Sequence, residues 1–269
     1  MEAGGIIDIV NLGINATVET CAELGGTWRR RSNKNRSWRV GVVTLKPANS
    51  NLSLVDGALY NKAKTVLLWL SPRKETYVMP STVKRVAEKA LFGGFELTNI
   101  TLSSSLEKID DEMLWGSDIK TIVIPSSVTE IGRKAFYVCE RLESIKIPKS
   151  VTKMYGGELF LGCKSLKSFT IPNCMTGIEK FDFRGCENLE KLIIHENVSF
   201  IHEQAFPHCD KLKYIYCYAK TPPCHFGFYH KLLSTNTTPV KEIHVPRGCK
   251  AAYEKSDWMR DGITIIDDL

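Results

Sequence analysis

Residues 119–139 read IKTIVIPSSVTEIGRKAFYVC, and residues 189–209 read LEKLIIHENVSFIHEQAFPHC. Both segments place apolar residues at the same offsets, and both end on a phenylalanine, two further residues and a cysteine. An internal period of this size is typical of repeat architectures, in which each unit buries its apolar side only against its neighbours. The two segments therefore predict a solenoid.

The pattern recurs at a near-constant interval across the middle of the chain. Five units begin on an apolar residue, at spacings of 23, 24, 23 and 23 residues; these residues are Ile119, Leu142, Leu166, Leu189 and Leu212. Three places later comes a second apolar column, formed by Ile122, Ile145, Phe169, Leu192 and Ile215. Four units close on a thiol, at Cys139, Cys163, Cys186 and Cys209. Four of the nine cysteines therefore form one column of the repeat.

The period extends beyond these units in both directions. Upstream, shorter repeats begin near Tyr77 and Leu97, and downstream Ile243 and Val245 mark a last strand. About seven coils are readable in total. A period of this length lies in the range of 20 to 29 residues that characterises leucine-rich repeats.

The segment IKTIVIPSSVTEIGRKAFYVC resembles the BspA-type leucine-rich repeat, which is also described for treponemal surface antigens. LSLVDGALYNKAKTVLLWLSPRKETYVMPSTVKRV resembles the hairpin insertion that often interrupts these arrays. YCYAKTPP followed by IHVPRGCKAAYEKSDW resembles their usual ending. The resemblance covers roughly residues 48 to 260.

The resemblance implies an α/β repeat fold, namely a right-handed leucine-rich-repeat solenoid with one short parallel β-strand per ~23-residue coil and irregular or short helical segments opposite. Caps are expected at both ends, because a solenoid must shield its terminal core. The expected division is an N-terminal cap or degenerate first repeat (1–47), a solenoid (48–246) with a hairpin insertion (52–70) and a loop (220–239), and a C-terminal cap (247–269). Many family members are cell-surface or secreted proteins implicated in adhesion to host or matrix proteins.

Two coils depart from the pattern. One residue is inserted at Gly157–Glu158, and the usual alanine before Phe160 is lost. Between Met113 and Ser117 a residue and the cysteine are missing. We expect both coils to be distorted.

Residues 214–219 read YIYCYA and alternate tyrosines with smaller residues. Because successive strand residues face opposite sides and Ile215 falls in the buried column, the tyrosines are predicted to point outward. Tyrosine on a rigid surface is favourable for binding. The predicted ligand-binding face consists of Lys146, Thr170, Lys191, Ile193, Tyr214, Tyr216 and His244. The alternative is that the loop 220–239 folds back over the tyrosines as a cap, through Phe226, Phe228 and Tyr229.

The net charge of +6 is concentrated near the N-terminus. The stretch TWRRRSNKNRSWRV contains two tryptophans, no acid and six cations: Arg29, Arg30, Arg31, Lys34, Arg36 and Arg39. This composition is able to pair with phosphates or sulfates and to stack on bases or sugars. The alternative is a solvated hairpin or loop in the N-terminal cap. Elsewhere the charges balance, which argues against a nucleic-acid-binding face spread over the whole protein.

Several function classes find little support. No apolar run approaches the roughly 18 residues that span a bilayer, and the start MEAGGIIDIVNLG lacks the basic region of a secretory signal. This leaves a cytoplasmic location or earlier removal of a signal open. No C-x-x-C pair suggests a metal site, so the cysteine column is interpreted as buried packing. Without G-x-S-x-G, phosphate-loop or H-E-x-x-H motifs, neither an enzyme nor a cofactor is expected.

The sequence thus favours a non-enzymatic cell-surface or secreted module that binds a protein or glycan ligand through its strand face. Adhesion to host or matrix is the role that the resemblance implies. Two alternatives stay open. One is a polyanion binder, for glycosaminoglycan or nucleic acid, acting through residues 28–39; the other is a scaffold whose repeats extend a larger protein.

Overall fold

A computed structural model describes residues 7–12, 40–71, 74–87, 90–91, 96–226, 239–259 and 262–269. In chain order its elements are β1 (Ile7–Leu12), β2 (Val40–Leu45), β3 (Leu52–Val55), β4 (Ala58–Asn61), β5 (Val66–Leu70), β6 (Thr76–Val78), β7 (Arg85–Val86), β8 (Asn99–Thr101), β9 (Lys108–Ile109), β10 (Thr121–Val123), β11 (Glu130–Ile131), β12 (Ser144–Lys146), β13 (Lys153–Met154), β14 (Ser168–Thr170), β15 (Gly177–Ile178), β16 (Lys191–Ile194), β17 (Phe200–His202), β18 (Tyr214–Cys217), β19 (Cys224–Phe226), β20 (Glu242–His244), α1 (Lys250–Glu254) and β21 (Thr264–Ile266).

The N-terminal strands form two small sheets. β1 and β2 pair in parallel, whereas β3, β4 and β5 form an antiparallel meander over the residues expected to be a hairpin insertion. Asp56 and Gly57 at its first turn have φ values of 46° and 74°, the left-handed pair of a type I′ hairpin turn. β5 also pairs in parallel with β7, so the meander is continuous with the coils that follow.

From β6 onward the chain winds as a parallel β-solenoid whose strands fall into two rows. The front sheet is formed by β6, β8, β10, β12, β14, β16, β18, β20 and β21. The second row, called here the back sheet, consists of β9, β11 and β13 in one hydrogen-bonded set, β15, β17 and β19 in another, and β7, which pairs with β5. Within the described residues, β6 to β20 mark about eight turns. The predicted parallel solenoid is confirmed.

The front sheet stacks the apolar column that the sequence predicts. Ile122 pairs with Ile145, and Leu192 lies between Phe169 and Ile215. All of these side chains are buried except that of Ile145, which is half-buried. Full burial of an aliphatic or aromatic side chain contributes roughly 1.5–3 kcal/mol, so the repeated column supplies much of the stability of the solenoid.

The opposite side of the coils is also β-structure, which corrects the α/β classification. The irregular or helical segments expected there are parallel strands of two or three residues, with Ile131 paired to Ile109 and to Met154. Their backbones bond from coil to coil, since the Gly132 N–H donates to the Ile109 carbonyl at 2.8 Å. In the part of the chain that the structure describes, the five-residue α1 is the one helix. From β6 to β19, each coil therefore carries two short strands rather than one.

A turn on the third side of each coil holds the phenylalanine and thiol columns. Neighbouring rings stack with centroids 5.5, 5.7 and 5.8 Å apart along the series Phe136, Phe160, Phe183 and Phe206. Four buried thiols each donate to a carbonyl of the preceding coil, at 3.1, 3.1, 3.3 and 3.0 Å for Cys139, Cys163, Cys186 and Cys209. The thiols are thus packing groups with a satisfied donor.

The same turn requires a left-handed residue in each coil. Gly116, Gly162 and Gly185 have φ values of 69°, 75° and 74° at this position, and Val138 has 56°. A β-branched residue in this region is strained by roughly 1–3 kcal/mol. We therefore expect Val138→Gly to raise the free energy of unfolding in urea by about 1 kcal/mol.

The control is Val123→Gly, at an extended and exposed position of the front sheet. Glycine there removes β-propensity and adds backbone entropy to the unfolded chain, so a loss of about 1 kcal/mol is expected. Losses of the same size for both variants would show that Val138 is not strained.

Candidate functional site

The outer surface of the front sheet changes character along the solenoid. The first coils present short polar and β-branched side chains, and Val78 and Val123 are 72% and 83% exposed. Farther along, β16 and β18 present larger side chains, which are half-buried. In each strand the residues that alternate with the buried column face solvent. The surface therefore changes because these outward residues become larger from one strand to the next.

Strand pairing brings most of the predicted site residues together. We define the tyrosine face as the outward residues of β16, β18 and β20 in mutual register: Lys191, Ile193, Tyr214, Tyr216 and His244. Parallel strands lie about 4.8 Å apart, so these side chains are contiguous. Thr170 pairs with Ile193 at the border of this face. Lys146 lies on the same surface but outside this face, because β14 lies between its strand, β12, and β16.

Tyr216 is held between two other side chains. Its ring stacks on the His244 imidazole with centroids 4.3 Å apart and 6° between the planes. Lys191 Nζ lies 4.0 Å from the centre of the same ring, and because β16 and β20 flank β18 it covers the opposite side. Aromatic stacking and a cation over the ring both restrict its motion. A ligand would therefore meet the edge and hydroxyl of Tyr216 rather than its flat surface.

His244 is buried, which corrects its predicted exposure. The residue is 8% exposed, because β21 adds a strand beside β20 and the following segment places Asp268 against the imidazole. Nδ1 of His244 lies 2.9 and 3.1 Å from the two carboxylate oxygens. The signal for β21 is the alternation of buried Ile263 and Ile265 with exposed Thr264. That alternation lies within the stretch expected to be a C-terminal cap.

Two predictions concern residues outside the described part of the chain. The basic residues Arg29, Arg30, Arg31, Lys34, Arg36 and Arg39 lie there, so the polyanion site stays a prediction. Residues 227–238 of the loop 220–239 also lie there. The start of that loop forms β19, which pairs with β17 in the back sheet. Coverage of the tyrosines by the rest of the loop stays a prediction.

The chemistry of the described residues is that of packing and surface contact. Among them, no group of three or more histidine, cysteine, aspartate or glutamate side chains is arranged to hold a metal ion. Burial holds the pKa of the Cys163 and Cys186 thiols well above the ordinary value, and metal binding or nucleophilic attack requires the thiolate. No helix in the described ranges is long and apolar enough to cross a membrane.

A groove of about 790 Å³ lies beside Gly132 on the back-sheet side of the coils. Two of the carboxylates that line the groove already have partners. Lys108 Nζ lies 2.5 Å from Asp110 Oδ1, and Asp111 Oδ1 accepts the main-chain N–H of Arg133 at 2.8 Å.

Several solved structures of bacterial proteins are similar to this chain. The pneumococcal vaccine antigen PcpA is 20% identical with a TM-score of 0.49, over 86% of this chain and 51% of that chain. A leucine rich cell surface protein from Faecalibacterium prausnitzii is 24% identical with a TM-score of 0.43, over 70% and 42% of the two chains. A leucine-rich repeat protein from Bacteroides ovatus is 20% identical with a TM-score of 0.46, over 90% and 75%.

This chain spans about half the length of the first two of these structures. No curated protein sequence matches it. The profile of the family described as "BspA type Leucine rich repeat region" matches residues 73–157 and 153–244, in six copies. These residues make up more than half of the chain and contain the stacked columns described above. The chain belongs to the BspA-type leucine-rich repeat family.

Proposed function

We propose that this chain is a non-enzymatic cell-surface or secreted module that binds a protein or glycan ligand through the outer side of its front sheet. The observation that carries the proposal is the stacked arrangement of Lys191, Tyr216 and His244. It fixes the Tyr216 phenol on the solenoid surface between the Lys191 cation and the buried His244 imidazole.

Rigidity is what makes this surface suitable for binding. Side chains already held in place lose little conformational entropy when a ligand binds. Tyrosine is enriched in binding hot spots because it combines a large contact area with a hydroxyl that forms hydrogen bonds. Tyr214, half-buried beside Tyr216, and Tyr218, 46% exposed, extend the aromatic area. The short side chains of the first coils offer no comparable anchor.

Family membership supports the remaining parts of the proposal. The BspA-type family is one of repeat modules that act in interactions, and its repeats are typically non-enzymatic scaffolds. Proteins with these repeats are usually on the bacterial surface or secreted. Adhesion to host or matrix molecules is the role we propose for the tyrosine face.

The direct test is the double variant Tyr214→Ser/Tyr216→Ser. We expect at least about tenfold less material to be captured from an extract of cell-surface and matrix proteins on the immobilised chain, because two hot-spot side chains are lost. Capture is quantified by mass spectrometry and fold by circular dichroism. Periodate treatment of the extract, which cleaves sugar diols, distinguishes a glycan ligand from a protein ligand.

The matched control is Val78→Ser/Val123→Ser, on the same surface of the first coils. It makes two substitutions of outward residues without touching the tyrosine face, so capture should equal that of the unmodified chain. Equal capture by the tyrosine variant and this control would remove the tyrosine face from consideration.

A further inference from the structure

We propose that Asn99 and Asn197 are acceptors of N-linked glycans, one on the front sheet of the first coils and one on the turn that follows β16. The inference goes beyond the proposed function and rests on one part of it, the cell-surface or secreted location, since a chain that leaves the cell can meet glycosylating enzymes. It does not depend on ligand binding by the tyrosine face.

The acceptor motif is more frequent in this chain than its composition predicts. N-x-S or N-x-T, with x other than proline, marks sites of N-glycosylation. Twelve asparagines, each with a 38 in 269 chance that serine or threonine follows two places later, give about two motifs in a random order. The chain has six: Asn15, Asn35, Asn51, Asn99, Asn197 and Asn236. Half of its asparagines therefore lie in the motif.

Where the structure describes the motif, it coincides with exposure. All three motif asparagines in the described ranges are exposed, namely Asn51, Asn99 and Asn197. Of the four other asparagines whose burial is described, three are half-buried or buried: Asn49, Asn61 and Asn188. Because a glycan is bulky, its asparagine must lie at the surface of the folded chain. The motif asparagines meet this condition.

Asparagines outside the motif have structural contacts. Asn49 Oδ1 accepts the main-chain N–H of Leu52 at 2.8 Å, and Asn188 Nδ2 donates to the Lys164 carbonyl at 2.8 Å. Such bonds between a side chain and the main chain stabilise turns and join neighbouring coils. A glycan on either amide would break them.

The two proposed acceptors lack contacts of this kind. Asn99 Nδ2 donates only to the hydroxyl of the adjacent Thr98, at 3.2 Å and in an exposed position. In the part of the chain that the structure describes, the Asn197 side chain has no hydrogen-bond partner. Both amides can therefore be substituted without loss of a bond that supports the fold.

Asn99 lies on a surface with room for a sugar. Residues two apart on a strand face the same side, so the Asn99 amide and the Thr101 hydroxyl of the motif are both outward and exposed on β8. The outward residues of β6, β8 and β10 are short and uncharged, and Val78 among them is exposed. From β8 to β16 there are four strand spacings, or about 19 Å, so this glycan leaves the tyrosine face open.

Asn197 lies on a turn between the front and back sheets. Its main-chain N–H donates to Nδ1 of His195 at 3.1 Å, which fixes the turn while the amide faces solvent. Ser199, the hydroxyl residue of this motif, is also exposed, and its Oγ donates to the Thr176 carbonyl at 3.1 Å. Exposed turns are positions at which bulky additions are tolerated.

The transfer requires a glycosyl diphosphate donor and an enzyme that recognises N-x-S/T. A bond forms between the anomeric carbon of the sugar and Nδ2 of the asparagine. The bond from that carbon to the diphosphate breaks, the diphosphate leaves with the bonding electrons, and Nδ2 loses one proton. No oxidant or reductant takes part.

The test uses the chain purified from the cells that produce it. After proteolysis, tandem mass spectrometry locates any sugar on the peptides that contain Asn99 and Asn197. We expect each peptide to carry at least about 160 Da, the mass of one hexose residue, attached to its asparagine. Peptides without added mass at both asparagines overturn the inference, and one such peptide removes its asparagine from it.

Two variants produced in the same cells form a matched pair at Asn99. Thr101→Ser keeps the motif and should keep the glycan, whereas Thr101→Val keeps the size of the side chain but should lose the glycan completely. A sugar on Asn99 that survives Thr101→Val would contradict enzymatic recognition of the motif. Both substitutions are at an exposed position, so circular dichroism should show an unchanged fold.

Failure of this inference differs from failure of the proposed function. If the tyrosine face binds no ligand, Tyr214→Ser/Tyr216→Ser captures as much material as the unmodified chain, while both glycopeptides are still found. If the asparagines carry no glycan, the capture experiment is unaffected.

Discussion

Replacing Phe183 by alanine is expected to lower the free energy of unfolding by about 3–5 kcal/mol. The ring is fully buried and lies 5.7 Å from that of Phe160, 5.5 Å from that of Phe169 and 5.8 Å from that of Phe206. Its removal opens a cavity between three coils. The coils cannot collapse into it, because bonds such as Phe183 N–H to the Ala205 carbonyl, at 3.0 Å, fix their spacing. Urea unfolding followed by circular dichroism measures the loss.

Phe200→Ala is the matched control. Phe200 is half-buried in the back sheet, where its ring lies over Gly177, so the same substitution there is expected to cost about 1 kcal/mol. Because solenoid stability is a sum of coil and neighbour terms, a weakened central coil is also expected to lower the urea m-value as the two ends unfold separately. An equal loss for both variants would show that the phenylalanine column is not central to the core.

Repetition explains why much of the fold was predictable. A column such as Ile122, Ile145 and Phe169 is recognisable because several coils carry the same pattern at a constant interval. The sequence did not predict the back sheet, because its strands are too short to show an alternating pattern. Glu130–Ile131 has one outward and one buried residue, and a turn with a single buried side chain looks the same in the sequence. Only its bonding to neighbouring coils, shown by its pairing on both sides, makes it a strand.

The candidate site was predictable only where it follows the repeat. The outward direction of Tyr214 and Tyr216 follows from the place of Ile215 in the buried column. His244 follows the same alternation, but its burial depends on Asp268, which lies 24 residues further along the chain and outside the repeat. A contact made by a single residue after the last coil has no periodic signal.

Within the solenoid, Asp182 also makes contacts that have no periodic signal in the sequence. Asp182→Ala is expected to lower the free energy of unfolding by about 3 kcal/mol. Its buried carboxylate accepts main-chain N–H bonds from Gly157 and Glu179 at 2.8 Å each and from Leu159 at 3.3 Å. Gly157 and Leu159 flank the inserted residue of the preceding coil, so Asp182 satisfies donors that the insertion exposes. Each orphaned buried donor costs roughly 1–3 kcal/mol, and local rearrangement reduces the sum.

Alanine is also the matched choice by size, because Ala135 and Ala205 occupy the position equivalent to Asp182 in other coils and are buried there. The loss therefore reports the hydrogen bonds rather than a cavity. Asp182→Asn keeps one oxygen to accept hydrogen bonds but directs its own N–H group at the main-chain N–H of Glu179. Its free energy of unfolding should therefore lie between that of the unmodified chain and that of Asp182→Ala. A loss for Asp182→Ala below 0.5 kcal/mol, roughly that of an ordinary surface substitution, would show that water satisfies these donors.

The stability difference between the unmodified chain and Asp182→Ala is expected to depend on pH, because burial and hydrogen bonding act in opposite directions on the pKa of the Asp182 carboxyl. Burial raises its pKa to about 6, although the three N–H bonds act in the opposite direction. In the unfolded chain the pKa of this carboxyl is about 3.9, so the folded state binds the proton more tightly. Protonation of Asp182 therefore stabilises the fold at low pH, and that stabilisation is lost as the pH rises through 6. The gap in unfolding free energy between the unmodified chain and Asp182→Ala should therefore widen by about 1 kcal/mol from pH 7 to pH 5. A gap that narrows instead would mean that the three N–H donors outweigh burial and hold the carboxylate ionised.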